Sequence, residues 1–489
     1  MASIKKNLVF NFLLSGSQLF VPLFTIPYLA HVLEPSGIGK VSFVDSFTFY
    51  FIAIAEFGIV VYGMREVARV RANKEELNSL VSELVTLHIV SSAFTIIAYS
   101  IAISFLWNRI HDWRLILFSF SFLLTNSLAC EWYYYGTEQF RYIASRSIFT
   151  RLCGLASIFI LIHEPKDYYI YYAVIAGSGI LNIILNFGRL LGELKLSLFK
   201  GDWKKHIRKT WITYSISLLY SISLMLDNVL LGLVSTAAFV GFYAFAIKLV
   251  RLSSTALTDT LLVFFPHAVN LLHLGEKEKF QKTILRNIQL MNLFSIPLGV
   301  GMYLLSDDIA AVVFGPAFAK VAVDIRILSA VPFLRCNNLF LSKQVLIAYN
   351  NEKLYVKSLI ISGAIFICST LVLSTLFNDV GASISMVIYE FSLLALNYYY
   401  SRKTDSILNI FDATSVLHAL IGSLLFIPLV FLFRRWMQPD AVYLIVTIAA
   451  CGILYVLFQL FVLRNEFMLT LRTWSLNYLG IAFQKRNKE

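Results

Sequence analysis

The sequence predicts an all-α integral membrane protein, and three observations support this fold class. Of the 489 residues, 58% are apolar or aromatic. This material falls into about fourteen segments of roughly 20 residues, the length that an α-helix needs to cross the hydrocarbon core of a bilayer. Lys and Arg collect in every second connection between the segments, as expected for short cytoplasmic loops. The chain is therefore expected to cross the membrane many times.

The predicted spans follow one another with short connections, so no soluble domain has room to fold. In chain order they are 8–32, 40–62, 80–106, 115–136, 143–163, 168–188, 211–234, 238–264, 287–306, 322–347, 354–377, 380–400, 413–433 and 441–463. The first segment is too long for a cleavable signal peptide and has no small-residue cleavage site. It is therefore expected to remain as the first span.

The distribution of charge predicts the orientation of these spans. If the N-terminus is cytoplasmic, every strongly basic loop is cytoplasmic, including a stretch with seven cations between Arg189 and Lys209 and a group around Arg141 and Arg146. The opposite side would hold only Lys40, Arg109, Arg114, Lys166, Lys320, Arg434 and Arg435. Because Lys and Arg are enriched in cytoplasmic loops, both termini are expected in the cytoplasm.

The longest polar stretch divides the chain, and the segments on its two sides show a weak internal repeat. HVLEPSGIGKVSFVDSF after the first span aligns with LVSTAAFVGFYAFAIKL after the seventh, which matches Gly39 with Gly241. Such repeats are typical of transporters. The sequence therefore predicts two pseudo-symmetric six-helix lobes around a central cavity, plus two C-terminal helices. The predicted parts are an N-terminal lobe (1–188), a basic cytoplasmic linker (189–210), a C-terminal lobe (211–400) and two extra helices with a basic tail (401–489).

Several function classes lack the residues they need. The net charge of +12 lies in predicted cytoplasmic loops, where topology and anionic lipid headgroups account for it, so a nucleic-acid partner is not expected. No G-x-x-x-x-G-K-[ST] loop is present to cradle nucleotide phosphates. The five cysteines lie in apolar segments without CxxC spacing, and no metal-ligand cluster or nucleophile motif occurs. We expect no cofactor, metal site or catalytic residue.

Several motifs together resemble one family. ACEWYYYGTEQFRYIASRSIFTRL is similar to the W-[FY]-[FY]-x-G-x-E-x-[FM]-x-[YF] signature of the Wzx-type O-antigen and polysaccharide flippases. AEFGIVVYGMREVARVR resembles their [DE]-F-G…G-x-R-x-x-A segment, and FVGFYAFAIKLV, FFPHAVNLL and FGPAFAKVAVDIRILS resemble later landmarks in the same order. This polysaccharide transport family belongs to the MOP superfamily, with the MATE exporters and the lipid II flippase.

The resemblance implies a flippase that moves undecaprenyl-diphosphate-linked oligosaccharides, such as O-antigen or capsule repeat units, from the cytoplasmic to the periplasmic leaflet of the bacterial inner membrane by alternating access. It also implies a lipid-linked oligosaccharide substrate, and as partners a periplasmic polymerase and a chain-length regulator. A MATE-like ion-coupled drug or small-solute antiporter remains an alternative. A membrane polymerase or ligase would need a large outer loop with catalytic residues, which the sequence lacks.

Cations inside predicted spans are candidates for binding the substrate. Lys248 and Arg251 share one helix face, and Arg335 lies near the middle of its span. A cation in the bilayer centre is expensive unless it faces protein or water, and Arg and Lys both bind phosphate oxygens. We predict that these three contact the diphosphate or sugars. The alternative is that they pair with buried acids and hold helices together.

Acids inside spans are candidates for ion coupling. Glu56, Asp227 and Glu131 could bind and release an ion, or could form structural ion pairs. At the cytoplasmic end of the second span, Arg65 and Glu66 are predicted to form a structural or gating ion pair. The aromatic cluster Trp132–Tyr135 could stack on sugar rings, although most aromatic residues are expected in packing and interfacial belts.

Overall fold

The computed structural model describes residues 4–262, 265–405 and 412–463, and the regular secondary structure of this part of the chain is helical, without strands. Side chains are described for all of it except some positions in the first helix and between residues 212 and 267. The α-helices are α1 Ile4–Val32, α2 Pro35–Glu56, α3 Ile59–Val70, α4 Lys74–Ile110, α5 Trp113–Asn126, α6 Glu131–Gly136, α7 Phe140–Leu161, α8 Tyr168–Glu193, α9 Ile207–Val234, α10 Ala237–Leu262, α11 Phe265–His273, α12 Lys277–Leu304, α13 Ser306–Ile309, α14 Val321–Leu328, α15 Val331–Phe340, α16 Glu352–Thr404, α17 Ala413–Leu424, α18 Phe426–Trp436 and α19 Ala441–Phe461.

The described helices confirm the predicted class of a multi-pass helical membrane protein. Nine helical stretches within the described ranges are long and apolar enough to cross a bilayer, or ten if a pair bent by 69° counts as one span. The predicted number of fourteen is not confirmed. Long apolar helices can span a bilayer because a helix satisfies its backbone hydrogen bonds within a single segment, without water.

The longest helix, α16, folds back on itself. Asn378 has a φ of +53° and interrupts the helix between two apolar runs. An ideal Cβ on Gly381 would lie 2.1 Å from the Leu373 carbonyl oxygen, an approach that a straight helix would not allow for residues eight positions apart. The sequence predicted this break, because it placed one span at 354–377 and the next at 380–400.

Contacts divide the chain into two compact units. The first unit comprises the chain up to Phe245 together with Ile367–Ala382, and the second comprises Ala246–Phe366 and the residues from Ser383 onward. Each unit has its own buried core. A cluster in the first unit joins α3, α4 and α6 through residues such as Tyr62, Leu84 and Trp132.

Within the first unit, the starts of α2 and α10 cross at two matching glycines. An ideal Cβ on Gly39 would lie 1.6 Å from the Ala237 carbonyl oxygen, and one on Gly241 would lie 2.0 Å from the Pro35 carbonyl oxygen. Each glycine therefore faces the residue four positions before the other. The reciprocal contact joins the two glycines that the sequence alignment matched, and the repeat itself stays a prediction.

Between α4 and α5 a carboxylate is buried at the predicted outer surface. Asp112, 5% exposed, accepts two hydrogen bonds from the Arg114 guanidinium, each 3.0 Å, and one of 2.6 Å from the Tyr168 hydroxyl. Burial by itself opposes the charge, but these hydrogen bonds outweigh it and hold the pKa of Asp112 below its usual range.

The predicted basic linker is fixed along α4. Between α8 and α9, the backbone N–H groups of Lys195, Ser197 and Phe199 donate to side-chain oxygens of α4, at distances of 3.2, 3.0 and 3.1 Å. The accepting residues are Asn78, Ser82 and Thr86. Two extended residues advance about 6.6 Å and four helical residues about 6.0 Å, so alternate linker amides meet successive turns of the helix.

Candidate functional site

The second predicted span is broken at the Glu-Phe-Gly motif. α2 ends at Glu56, and Phe57 and Gly58 have φ values of +46° and +72°, in the left-handed region. A side chain could not replace the hydrogen of Gly58, because an ideal Cβ would lie 2.5 Å from the backbone nitrogen of Tyr214 on α9. The break ends α2 at Glu56, which lines a cavity.

This cavity has a volume of about 450 Å³ and lies inside the first unit, where every helix from α1 to α8 contributes to its lining. The volume falls within the range of about 300–1,000 Å³ that is usual for small-ligand sites. Its charged, imidazole and amide side chains are Gln18, Glu56, His88, Asn126, Glu131, Arg146, Arg151, Asn182 and Asn186. A polar cavity inside an apolar helical unit is unusual, since polar groups in membrane helices are costly and generally functional.

An ion pair between a buried arginine and a half-exposed glutamate forms part of the cavity wall. Arg146 on α7 donates through Nη2 to Glu131 Oε1 at 2.7 Å and to Ser147 Oγ at 2.9 Å, and its side chain is 4% exposed. The prediction that Arg146 lies in a basic cytoplasmic loop is wrong, because the residue lies inside α7 and is buried. The residue is buried within α7 because Glu131, at the start of α6, compensates its charge.

Other polar atoms of the lining residues have no hydrogen-bond partner in the described part of the chain. They are Arg146 Nε and Nη1, His88 Nε2, Asn126 Nδ2 and Asn186 Oδ1. The four residues are between 2% and 6% exposed. An unsatisfied buried donor or acceptor costs about 1–3 kcal/mol, so their concentration around one cavity calls for a functional explanation.

The aromatic signature motif contributes two of its four rings to this cavity. Trp132 and Tyr135 line it, whereas Tyr133 and Tyr134 are buried beneath and act as anchors. The Tyr133 hydroxyl donates to Glu193 Oε2 at 2.9 Å, and the Tyr134 hydroxyl donates to the carbonyl oxygen of Asn186 at 2.7 Å. The motif therefore ties α6 to α8 and presents one face to the cavity.

The predicted substrate-binding cations lie in the second unit. Lys248 is exposed and Arg251 is partly buried, one turn apart on α10. Arg335 on α15 forms an ion pair with Glu390, with Nη2 2.7 Å from Oε1, and its side chain is 20% exposed. Asn338 donates to the other oxygen of Glu390 at 2.8 Å. This contact agrees with the alternative prediction, in which Arg335 pairs with a buried acid.

The predicted acids occupy different environments. Glu56 and Glu131 line the same cavity, whereas Asp227 on α9 is 1% exposed and accepts a hydrogen bond of 2.7 Å from the Tyr243 hydroxyl. At the other end of α3, Glu66 lies 3.5 Å from Arg65 and 2.9 Å from Arg69. Arg69 is thus the closer ionic partner of Glu66.

Five neutral polar residues of the cavity were missed in the sequence. They lie within predicted spans, where any polar side chain is a candidate for function, and they are Gln18, His88, Asn126, Asn182 and Asn186. The predicted site residues were charged or aromatic, so these neutral polar side chains were overlooked. Among the described residues, no three His, Cys, Asp or Glu side chains come together in a way that could hold a metal ion.

Comparison with solved structures identifies the fold. The chain superposes on the lipid II flippase MurJ in an inward closed conformation with a TM-score of 0.70 and 14% identity, covering 94% of this chain and 100% of that one. An inward-facing multidrug resistance MATE family transporter of the MOP superfamily gives a TM-score of 0.60 at 13% identity, covering 80% and 95%. The chain thus shares its fold with this lipid II flippase and this MATE family transporter, as the sequence motifs implied.

Sequence comparison identifies the family. A protein of Escherichia coli (strain K12) named "Putative O-antigen transporter" is 23% identical over 415 residues, which cover 82% of this chain and 97% of that protein. The family described as polysaccharide biosynthesis protein matches residues 4–272, more than half of the chain. The resemblance seen in the motifs is confirmed, and the chain belongs to the polysaccharide biosynthesis protein family.

Proposed function

We propose that this protein is a flippase that moves undecaprenyl-diphosphate-linked oligosaccharide from the cytoplasmic to the periplasmic leaflet of the bacterial inner membrane by alternating access. The observation that carries the proposal is the polar cavity of about 450 Å³ inside a membrane-embedded unit. A carrier for such a lipid must give the hydrophilic headgroup polar partners while the polyprenyl chain stays in lipid. Family membership and the MOP fold support the same function.

The diphosphate is proposed to bind the cations of the C-terminal lobe, which is taken as residues 211–400. Lys248 and Arg251 offer two positive charges one turn apart on α10. Arg335 has five N–H donors in a fork, so Glu390 can hold one edge of the guanidinium while a phosphate oxygen binds another. Diphosphate binding needs excess positive charge, and the predicted spans 238–264 and 322–347, which contain these residues, together hold five Lys and Arg residues.

Glu56 is proposed as the ion-coupling acid. It stands at the end of α2 next to a break in the span, and it has no ion-pair partner in the described part of the chain. Glu131 and Asp227 were also candidates in the sequence, but their contacts with Arg146 and Tyr243 favour structural roles. The Arg65–Glu66 pair at the predicted cytoplasmic end of α3 is retained as a gating element.

Complementation tests this proposal. A bacterium lacking its own flippase, supplied with the matching polysaccharide gene cluster, is expected to make surface polymer again when it expresses the wild-type protein. Lys248→Ala, Arg335→Ala and Glu56→Gln should each reduce the polymer at equal protein levels in the membrane. Failure of the wild type to restore polymer, together with resistance to drugs, would instead favour an antiporter.

If the wild type restores polymer and the three variants make as much of it, the proposed flippase function stands. The proposed roles of these residues would then be wrong. The cations would then be structural. A periplasmic polymerase and a chain-length regulator are the partners expected on the outer side, so surface polymer also requires that the supplied cluster encodes them.

A further inference from the structure

We propose that the cavity inside the first unit binds a sugar residue of the translocated oligosaccharide and reads its hydroxyl pattern. This inference rests on the proposed function, because it assumes an oligosaccharide cargo. It adds a sugar-recognition subsite formed by Arg146, His88, Asn126 and Asn186, separate from the cations proposed for the diphosphate.

The unpartnered polar atoms of the cavity residues suit a ligand with hydroxyl groups. Arg146 Nε and Nη1 and Asn126 Nδ2 can only donate, Asn186 Oδ1 can only accept, and His88 Nε2 can do either. A hydroxyl group is both donor and acceptor, so a sugar ring can satisfy such a mixed set. In this structure these atoms are buried, so binding of the sugar requires their side chains to rotate toward the cavity.

The charge of the cavity argues against the diphosphate as its occupant. The lining contains two arginines, Arg146 and Arg151, and two glutamates, Glu56 and Glu131. With His88 neutral, their formal charges cancel. A diphosphate would bring several negative charges into a site without a compensating excess of cations, whereas a neutral sugar would not.

Aromatic side chains in the cavity lining also suit a sugar ring. Trp132, Tyr135 and Phe122 line the cavity, and the apolar C–H face of a pyranose ring packs well on an aromatic ring. At about 450 Å³ the space exceeds a single sugar ring. Polar partners at the edges and aromatic faces on the walls together favour a carbohydrate over a purely apolar ligand.

Recognition by buried polar groups would make the site selective. A site built to bond a hydroxyl rejects an analogue that lacks it, because the buried partner is then left unsatisfied. Asn126 and Asn186, on α5 and α8, would each read one substituent of the ring. A transporter with such a subsite would distinguish repeat units by the sugar that enters the first unit.

Two glycines on α8 provide a matched pair of variants. An ideal Cβ on Gly179 would lie 2.4 Å from the Phe122 ring, which forms part of the cavity wall, whereas one on Gly177 meets no atom within 4 Å. Both changes raise helix propensity equally. Gly179→Ala must therefore displace the Phe122 ring and reshape the wall, and Gly177→Ala should leave it unchanged.

The experiment measures binding of a lipid-free ligand to the purified full-length protein in nanodiscs. The probe is the repeat-unit oligosaccharide, released by mild acid hydrolysis of the glycosyl-diphosphate bond of the lipid-linked precursor from a strain that the wild type complements. Its binding is measured by calorimetry and by saturation-transfer NMR. Asn126→Leu, Asn186→Leu and Gly179→Ala should each weaken binding by about 10–100-fold, since each leaves sugar hydroxyls without partners or blocks the space. Gly177→Ala should bind like the wild type.

Thermal stability separates binding from folding. Replacing an unpartnered buried amide by leucine should leave the melting temperature unchanged or raise it, so a loss of binding without a loss of stability supports the subsite. Equal binding by the wild type and all three cavity variants would overturn it. Displacement of the oligosaccharide by inorganic pyrophosphate would also overturn it, because the cavity would then bind the diphosphate.

The same preparation distinguishes a failed subsite from a failed function. If the wild type translocates the lipid-linked substrate but does not bind the free oligosaccharide, the subsite is wrong and the flippase stands. If the wild type supports no surface polymer with any supplied cluster, the proposed function itself fails.

Discussion

The attachment of the basic linker to α4 can be broken without touching the cavity. The side-chain oxygens of Asn78, Ser82 and Thr86 accept hydrogen bonds from three linker amides, and Ser82 and Thr86 are 3% and 1% exposed. The triple substitution Asn78→Ala, Ser82→Ala and Thr86→Val removes all three acceptors. At about 1 kcal/mol for each lost hydrogen bond, the free energy of opening the linker falls by about 3 kcal/mol.

Opening should therefore become about 100-fold more frequent, because 1.4 kcal/mol corresponds to a factor of ten. Trypsin reports it directly, since the linker carries exposed lysines at positions 195 and 200. When opening is fast relative to cleavage, the cleavage rate follows the open population. Mass spectrometry of the first fragments should show the triple variant cut in the linker about 100-fold faster than the wild type, and Ser82→Ala about 5-fold faster.

Ser100→Ala is the matched control. Ser100 lies on the same helix, is exposed, and its hydroxyl bonds only the carbonyl oxygen of Ile96 among the hydrogen bonds described. Its removal should not change the rate. Equal linker cleavage in the triple variant and the wild type would refute the reasoning, and so would a first cut outside residues 195–209. Equal cleavage would mean that a second attachment is enough to hold the linker closed. In this attachment, Glu83 binds Lys205 and His206 at 2.8 and 2.9 Å.

Three further outcomes are expected. Gly39→Ala should lower the melting temperature, because its Cβ would lie 1.6 Å from a backbone oxygen of α10, whereas Gly188→Ala, in open space, should not. The wild type should have a larger free energy of unfolding than Asp112→Asn, and this difference should be complete above about pH 5 and shrink as the pH falls below about 4. The reason is that a carboxyl group with a lowered pKa loses its stabilising contribution when it is protonated. A difference that is constant from pH 3 to 7 would contradict this. Arg335→Ala should destabilise by about 3–5 kcal/mol, because it leaves Glu390 buried and unpaired. Adding Glu390→Leu should restore stability but not surface polymer; recovery of polymer would make the pair purely structural.

The fold class could be predicted from the sequence because bilayer physics acts on long apolar runs. The break between the spans 354–377 and 380–400 could also be predicted from the sequence, and Asn378 lies in it with a positive φ. The match of Gly39 with Gly241 has its physical reason in a reciprocal backbone crossing. These features depend on local composition or on residues that only a close approach requires.

The cavity could not be derived in the same way. Arg146 was taken for a loop cation because a charge near the end of an apolar segment has the same sequence pattern whether it is buried or solvated, and only the contact with Glu131 distinguishes the two. Asn126 and Asn186 leave no periodic signal. The linker attachment is likewise invisible in the sequence, since its donors are backbone amides that every residue type provides.

The most direct test of the central claim is translocation by the purified protein in liposomes. Undecaprenyl-diphosphate-linked oligosaccharide is incorporated into both leaflets, and a membrane-impermeant glycosidase then digests whatever reaches the outer surface. Vesicles containing the protein are expected to expose nearly all of the oligosaccharide, whereas empty vesicles expose only the outer-leaflet share. Digestion that stops at the outer-leaflet share in both preparations, under an imposed proton or sodium gradient as well as without one, would contradict the proposed flippase.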